Sequence, residues 1–453
     1  MTNRLLSADT FEFSLRPKWR AILFLLVLGM GGWGVGRLAI RTAMAARLSE
    51  SLALSDLRRA LALDPGNPMI YNRLGVASSF LQEQSIPSDG LPYLRRAVQL
   101  NPDETLCWLN LASACELAGD LSCADEAFGR ALAASPMVPR IQWMAANYYL
   151  RTERAVEARA HFRRLLGMGQ EYAFPALRTC FRSFPDPELL VREVLPEGKD
   201  PTPKLALVNF LSSQGDFDNA YRVWTLAMKD ASPPSFAAVR PFLVGLIQSG
   251  KFGDAWTVWQ DLIRTGVVRR PPVGNPANLV FNGDFEQVPL NGGFDWMYGG
   301  QPYLGVDVQS SGASDGGRCL RLDFTVSHNA DYEPVQEFIP VVPRQTYTLS
   351  AYVRAEDITS DSGPRLRVLD AACPRCLEVS TESVVGTRDW SPTSVTFSTG
   401  TETRFVRLSV WRPRGRAYPM DITGRYWLDK IVLFPVNDPG APNPVVPPQG
   451  VPR

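Results

Sequence analysis

The sequence predicts a multidomain chain with an N-terminal transmembrane helix, an all-α solenoid and an all-β sandwich. An uncharged, mostly apolar run extends from Ala21 to Gly36. Between residues 41 and 270, large and small residues recur at a spacing of about 34. Near residue 277 the hydrophobic period changes from 3.6 to 2. The 453 residues allow two or three domains of roughly 100–200 residues each.

Composition and charge exclude several functional classes. Lys and Arg number 47 against 46 Asp and Glu, which lacks the basic excess of nucleic-acid-binding proteins. Only His161 and His328 are present, so a zinc hydrolase with two or three histidine ligands is nearly excluded. No nucleophile elbow, phosphate loop or HExxH motif occurs. We therefore expect a non-enzymatic binding protein, with a carboxylate-based glycoside hydrolase as the remaining catalytic alternative.

The N-terminal apolar run predicts a transmembrane signal-anchor helix over residues 19–40, preceded by a cytoplasmic segment, residues 1–18. The run alone spans about 24 Å, but snorkelling of Arg20 and Arg37 extends it to a full crossing of about 30 Å. A cleaved signal peptide is the alternative, because Ala43-Met44-Ala45 is similar to an A-x-A cleavage site. Arg37 and Arg41 fit poorly in a cleavage region, so we prefer a retained anchor.

Residues 41–270 contain a repeated pair of helices. Between Pro102 and Pro136 the pattern alternates large and small side chains: Trp108, Leu111, Ala112, Cys115, Gly119, Ala124, Phe128 and Ala131. The small residues let two antiparallel helices approach, Gly119 turns the chain, and Pro136 ends the second helix. Similar offsets recur in other copies, and residues 173–200 break the pattern.

This pattern resembles the tetratricopeptide repeat family. The resemblance implies a superhelix whose concave groove binds a protein partner. The alternative, a spacer between the membrane and the C-terminal domain, stays open.

Beyond a linker at residues 271–276, residues 277–436 alternate with period 2, for example at Leu349, Ala351 and Val353. Several such short strands predict an antiparallel sandwich. The segments NLVFNGDFE, from residue 278, and YWLDKIVLF, from residue 426, resemble the galactose-binding-like jelly-roll family of carbohydrate-binding modules. The resemblance implies a structural Ca²⁺ where the first and last strands meet, with Glu286 and Asp429 as ligands. Pairing of these carboxylates with Arg or Lys is the alternative.

Outward positions of the predicted strands suggest a ligand face. If the strands are neighbours in one sheet, the face carries Tyr352, Arg354, Arg367, Arg407 and Trp411. Aromatic rings stack on the apolar faces of sugars, and arginine binds carboxylates bidentately. The face therefore suits an acidic polysaccharide, with a neutral one also possible. Packing against the helical array or simple solvation is the alternative.

The motif Cys373-Pro-Arg-Cys376 lies in a predicted loop and favours a local disulfide; zinc, a redox site and free thiols are the alternatives. Four further cysteines, Cys107, Cys115, Cys123 and Cys180, mostly replace small core residues of the helical array. The tail, residues 437–453, is Pro-rich and predicted to be disordered.

A disulfide, an anchor and an extracytoplasmic sandwich together favour a single-pass protein of the bacterial inner membrane with its bulk in the periplasm. The whole resembles envelope scaffolds of polysaccharide assembly or export. A purely structural adaptor of a membrane complex, without a glycan ligand, is the alternative.

Overall fold

The computed structural model describes residues 18–81, 86–169, 171–229, 231–271, 278–315, 317–325, 329–418 and 420–436. Residues 1–17, most of the expected linker, His328 and the Pro-rich tail lie outside the described residues. The chain forms two compact units, which divide between Tyr172 and Ala173.

The first unit begins with α1 (Lys18–Glu50), one continuous helix of 33 residues. Its apolar part is exposed, and it is long and apolar enough to cross a membrane, although a signal sequence would share these properties. Its C-terminal part belongs to the helical array, because Ala45 is fully buried against Ala60 and Ile70. The apolar helix therefore runs without a break into the first repeat.

Antiparallel helix pairs make up the rest of the first unit. They are α2 (Leu54–Leu63), α3 (Pro68–Phe80), α4 (Leu91–Leu100), α5 (Thr105–Leu117), α6 (Leu121–Ala134), α7 (Pro139–Arg151) and α8 (Ala155–Leu166). A 3₁₀ turn, Pro87–Gly90, precedes α4. The small residues predicted to let paired helices approach, Ala112, Ala124 and Ala131, are fully buried. The predicted all-α solenoid is confirmed.

The turn between α5 and α6 holds a disulfide that the sequence did not reveal. Gly119 adopts a positive φ of 78°, which glycine reaches without a steric clash because it has no Cβ atom. The turn brings Cys115 and Cys123 together, with their Cα atoms 5.7 Å apart and their sulfur atoms bonded. Cys107 and Cys180 are buried free thiols, as their expected place in the core requires.

The second unit begins with six more helices. They are α9 (Ala173–Ser183), α10 (Pro187–Leu189), α11 (Thr202–Ser213), α12 (Phe217–Ala227), α13 (Phe236–Gln248) and α14 (Phe252–Arg264), with a π-helical turn, Leu190–Val194, after α10. The irregular pair α9 and α10 occupies the stretch where the repeat pattern breaks.

Ten strands follow in the same unit. They are β1 (Met297–Tyr298), β2 (Leu304–Ser311), β3 (Arg318–Phe324), β4 (Tyr332–Pro340), β5 (Thr346–Ile358), β6 (Arg365–Asp370), β7 (Glu378–Ser380), β8 (Gly386–Ser398), β9 (Phe405–Arg412) and β10 (Gly424–Pro435). The front sheet has the order β1-β4-β9-β6-β7 and the back sheet the order β2-β3-β10-β5-β8. Both are antiparallel and enclose an apolar core that includes Leu349, Val353 and Val410. The predicted all-β sandwich is confirmed.

Helix α14 packs directly on the outer surface of the front sheet. The Phe252 ring lies 5.3 Å from the Phe338 ring and 5.7 Å from the Phe405 ring, centroid to centroid. The last helices and the sandwich therefore form one compact unit, and part of the front sheet is covered by helix.

Candidate functional site

The five residues predicted to form one ligand face lie on two different sheets. Tyr352 and Arg354 belong to β5 in the back sheet, whereas Arg367 belongs to β6, and Arg407 and Trp411 to β9, in the front sheet. The predicted single face is therefore wrong. Its physical reason is that β5 pairs with β8 and β10, while β6 pairs with β9, and such non-local pairing leaves no trace in the alternation of one strand.

The front sheet nevertheless keeps three of the five residues together. Its register places Arg365 opposite Trp411 and Arg367 opposite Ser409, and these outward side chains meet. The guanidinium of Arg367 lies 4.2 Å from the Trp411 ring centroid, and that of Arg365 lies 5.7 Å from it. A ligand would therefore meet stacked cations on this ring. We call Arg365, Arg367, Arg407, Trp411 and the neighbouring Glu333 the front platform.

Glu333 organises the platform. Its carboxylate lies 2.7 Å from Arg367 Nη2 and 3.5 Å from Arg407 Nη2, and it accepts a 2.5 Å hydrogen bond from Ser409 Oγ. Burial alone would raise the pKa of Glu333, but the Arg367 and Ser409 hydrogen bonds and the Arg407 charge outweigh it and lower the pKa. Glu333 therefore stays ionised and holds two arginines in place.

Arg365 is the cation of the platform that lacks a counter-charge. Among the described residues, no carboxylate lies within 4 Å of it; Nη2 donates a 3.4 Å hydrogen bond to Ser362 Oγ. Burial removes part of the water around the Arg365 guanidinium and therefore lowers its pKa. An anionic ligand would relieve that penalty.

A groove lies beside the platform, between α13 and the front sheet. One cavity of about 500 Å³ is lined by Val244 and Gln248 of α13 and by Gln336 and Arg407 of the sheet. A second, of about 300 Å³, shares Val244, Gln248 and Gln336 and reaches Glu333. The two form one continuous groove with the front sheet as floor and a helix as wall, and Glu333 and Arg407 connect it to the platform.

One end of the groove is closed by the loop between β6 and β7, where Pro374 lines the first cavity. Cys373 and Cys376 are joined by a disulfide in this loop. The buried carboxylate of Asp370 accepts 2.8 Å hydrogen bonds from the backbone N–H groups of Ala372 and Cys373. The loop is thus fixed at both of its turns.

The back sheet carries the other two predicted residues in a different setting. The Arg354 guanidinium lies 4.7 Å from the Trp427 ring centroid, and Lys430 Nζ lies 5.9 Å from that of Tyr352. Trp427 is only 6% exposed and packs with Cys319 and Trp390. Trp427 and Trp390 therefore act as packing anchors on this face.

Glu286 and Asp429 converge on the loop between β2 and β3. Glu286 Oε1 accepts a 2.6 Å hydrogen bond from Arg318 N. Asp429 Oδ2 accepts hydrogen bonds from Ser314 N and Ser314 Oγ, at 3.0 and 2.7 Å. Burial and, to a smaller extent, the charge of Asp315 raise the pKa of Asp429. Among the described residues, neither carboxylate belongs to a group of three or more ligand side chains close enough to hold one ion, so a Ca²⁺ ion here would need backbone carbonyl ligands as well.

His161 is unsuited to catalysis. It is only 7% exposed, and Nδ1 lies 2.7 Å from Gln142 Oε1. Burial lowers the pKa of His161 to about 4, so the ring is neutral at physiological pH. The ring turns inward and stacks on Tyr149, with centroids 5.1 Å apart.

Family models match both parts of the chain. Residues 124–173 match a tetratricopeptide repeat model, and residues 277–416 match a carbohydrate binding domain model. Both resemblances noted from the sequence are confirmed. Among curated proteins, none matches.

Several solved structures match parts of the chain. "MamA AMB-1 C2221" is 24% identical over 26% of this chain and 66% of its own, with a TM-score of 0.23. "Crystal structure of MamA protein" is 15% identical over 43% of this chain and 91% of its own, with a TM-score of 0.27. "CBM4 structure and function" is 18% identical over 34% of this chain and 99% of its own, with a TM-score of 0.26.

Proposed function

We propose that this chain, which carries tetratricopeptide repeats and a carbohydrate-binding domain, is a membrane-anchored scaffold of the bacterial envelope. Its sandwich binds a polysaccharide and its helical array binds a protein partner. The setting we propose is polysaccharide assembly or export. One observation carries the proposal: the front platform opens onto the groove walled by α13.

The charges of the platform favour an acidic polysaccharide. The half-buried carboxylate of Glu333 pairs with Arg367 and Arg407, and Arg365 adds a third guanidinium group beside the Trp411 ring. Glu378 adds an exposed carboxylate at 3.6 Å from Arg367, which screening by water makes weak. The net charge is positive, and Arg365 has no counter-charge. Uronic-acid carboxylates are groups that such a surface binds through charge-assisted hydrogen bonds.

The glycan proposal is tested by affinity electrophoresis or calorimetry on the full chain with alginate, polygalacturonate and neutral laminarin. We expect binding to the two acidic polymers that weakens as salt is raised. Arg365→Ala should weaken binding about 10-fold, as expected for a lost charge-assisted contact of about 1.4 kcal/mol.

The matched control is Arg354→Ala, which removes an arginine that stacks on tryptophan in the same way but on the back sheet. Its affinity should equal that of the wild type. Failure of the wild type to bind any of the three polymers, or equal losses in both variants, would refute glycan binding through the front platform. Retained capture of protein partners in that case would favour a purely structural adaptor.

Retention of α1 is supported by packing within the first repeat. Ala45, the last residue of the possible cleavage site, is helical and fully buried against α2 and α3. Arg41 Nη2 also donates a 3.1 Å hydrogen bond to Leu63 O. Cleavage after Ala45 would remove both contacts. Carbonate extraction of membranes tests the anchor: we expect the protein in the pellet, and release into the supernatant would contradict an integral span.

We further propose a structural Ca²⁺ held by Glu286 and Asp429. When bound, the ion would neutralise carboxylates that reach one loop from opposite ends of the domain. Addition of Ca²⁺ should raise the melting temperature of the sandwich, and Asp429→Asn should abolish the increase. An unchanged melting temperature with chelator and with excess Ca²⁺ would exclude the site.

A further inference from the structure

A loop at the end of the front sheet presents an unusually exposed aromatic ring. The loop, residues 413–418, follows Trp411 and Arg412 at the end of β9. Tyr418 is 95% exposed, the largest value among the exposed large hydrophobic residues of the described chain. Such a ring gains nothing for folding, because almost none of its surface is removed from water.

Side chains from other segments hold this loop in one conformation. The N–H of Arg414 donates a 3.1 Å hydrogen bond to Asp331 Oδ1, and that of Gly415 a 2.7 Å bond to Asn329 Oδ1. The N–H groups of Arg416 and Ala417 both donate to Asp361 Oδ2, at 3.2 and 3.0 Å. Four consecutive backbone donors are thus satisfied by side chains, up to the residue that precedes Tyr418.

The base of the loop rests on a buried arginine. Arg412 is 1% exposed, and its guanidinium donates hydrogen bonds to the carbonyl oxygens of Ser362, Ala330 and Met420, at 3.1, 2.9 and 2.8 Å. In the described part of the chain, no carboxylate lies within 4 Å of it, and burial lowers its pKa. A buried cation without a carboxylate is costly, and here it ties three segments together beneath the loop.

We infer that Tyr418 is a sugar-stacking residue that extends the front platform by a further subsite. This inference rests on the proposed glycan binding. Tyr418 follows Trp411 by seven positions, and the loop is held by Ser362 and Asp361, which lie three and four residues before Arg365 at the start of β6. Because the loop is fixed before binding, a sugar would not have to order it, and the lost entropy of association would be smaller.

The surroundings of Tyr418 suit an acidic sugar. Two exposed arginines, Arg414 and Arg416, precede the ring, and Met420, which is 46% exposed, follows it. A ring beside cations matches a sugar with an apolar face and an acidic substituent. Because Tyr and Arg are also enriched at protein interfaces, a protein contact is one outcome of the test.

The test measures binding of alginate and polygalacturonate to full-length variants. Tyr418→Ala should weaken binding about 5- to 10-fold, within the range of an aromatic contact. Tyr418→Phe should bind like the wild type, since the ring is kept. The melting temperature should be unchanged in both, because the side chain is exposed. Asp361→Ala, which frees the loop but keeps Tyr418, should also bind more weakly.

The outcomes separate this inference from the proposed function. If the wild type binds none of the polymers, both fail. If the wild type binds and Tyr418→Ala binds equally well, only the Tyr418 subsite is refuted. If Tyr418→Ala keeps polymer affinity but loses a co-purifying protein, the ring is a protein contact and the subsite is again refuted.

Discussion

The helical repeats and the sandwich differ in what they bury. In the pair α5 and α6 the buried residues are apolar or small: Cys107, Leu109, Leu111, Ala112, Ala114, Cys115, Ala124, Ala127, Phe128 and Ala131. The sandwich instead buries ionisable groups, and Asp295, Glu337, Asp429 and Arg412 are each 1% exposed. Helices satisfy their own backbone groups, whereas the long connections of the sandwich need side chains for that purpose.

Two of these buried acids accept hydrogen bonds from backbone N–H groups of an irregular segment. Asp295 accepts hydrogen bonds from Leu290 N and Trp296 N, at 2.6 and 2.7 Å. Glu337 Oε1 accepts a 2.7 Å hydrogen bond from Phe281 N. The donors belong to the irregular stretch before β1, so these carboxyl groups replace a strand or helix that is missing there.

The first prediction concerns the apolar core of the repeats and has the largest expected effect. Phe128 is 1% exposed and stacks on Tyr148, with ring centroids 4.5 Å apart. Phe128→Ala should lower the free energy of local unfolding by about 3–5 kcal/mol, read from hydrogen exchange of the α5 and α6 amides. Leu117→Ala, at a 60% exposed position, should stay within about 0.5 kcal/mol. Equal losses of stability in the two variants would mean that the repeats do not share a buried apolar core.

The second prediction concerns the buried acids. Burial raises the pKa of Asp295 from 3.8 to about 7, so the unfolded chain releases this proton at a lower pH than the folded one. The stabilising contribution of the protonated form is complete below about pH 4 and is lost as the pH rises towards 7, with a slope of up to about 1.4 kcal/mol per pH unit. Asp295→Asn should reduce this slope in urea unfolding, and the remaining slope is expected from Glu337, whose pKa burial also raises. An unchanged slope would show that Asp295 is not the titrating group.

Asp125 in the repeats should respond in the opposite direction. The Arg154 hydrogen bond, at 2.6 Å, lowers the pKa of Asp125. Its stabilising contribution is therefore present above its unfolded pKa and is lost as the pH falls through the folded value. Asp125→Asn should reduce acid sensitivity of the first unit only.

The third prediction compares the two disulfides. Cys115–Cys123 closes a chain separation of 8 and Cys373–Cys376 one of 3. The double variant Cys115→Ser/Cys123→Ser should lower the stability of the first unit by about 2–3 kcal/mol, through loss of chain restriction in the unfolded state. Cys373→Ser/Cys376→Ser should have a smaller effect, confined to the second unit. Thiol labelling under denaturing conditions, which should show three free cysteines, checks the pairing.

The fourth and smallest effect concerns a polar contact at the edge of the repeats. Tyr148 Oη donates a 2.7 Å hydrogen bond to Asp125 Oδ1. Tyr148→Phe should cost about 1 kcal/mol, because Arg154 remains paired with the carboxylate. A loss as large as that of Phe128→Ala would mean that the repeats also depend on buried polar contacts.

The sequence predicted correctly those features of the fold that depend on a local pattern of residues. The small residues Ala112, Ala124 and Ala131 and the alternation around Val353 depend on a local period, and both were placed correctly. The assignment of β5 to the back sheet depends on pairing with distant strands, which no local pattern contains. Cys115 and Cys123 are brought together by the turn at Gly119, and the geometry of that turn is not contained in the periodicity of either helix.

The burial of Arg412 could have been predicted from the alternation along its strand. Arg412 continues the inward series Val406, Leu408 and Val410, so the alternation alone places this arginine inside. Its acceptors are carbonyl oxygens of other segments, and their convergence is a property of the folded loops that the sequence does not display.

Because helix α1 is unbroken, it fixes the rotation of the first repeat about the helix axis relative to the apolar stretch. No loop separates the apolar stretch from residues 41–50, which pack on the first repeat. A one-residue insertion between Arg37 and Arg41 would therefore swing the array about 100° around the helix axis, whereas seven inserted residues, close to two turns, would restore its phase to within about 20°. If the apolar stretch anchors the chain, the number of residues between it and the first repeat determines the direction in which the repeats face.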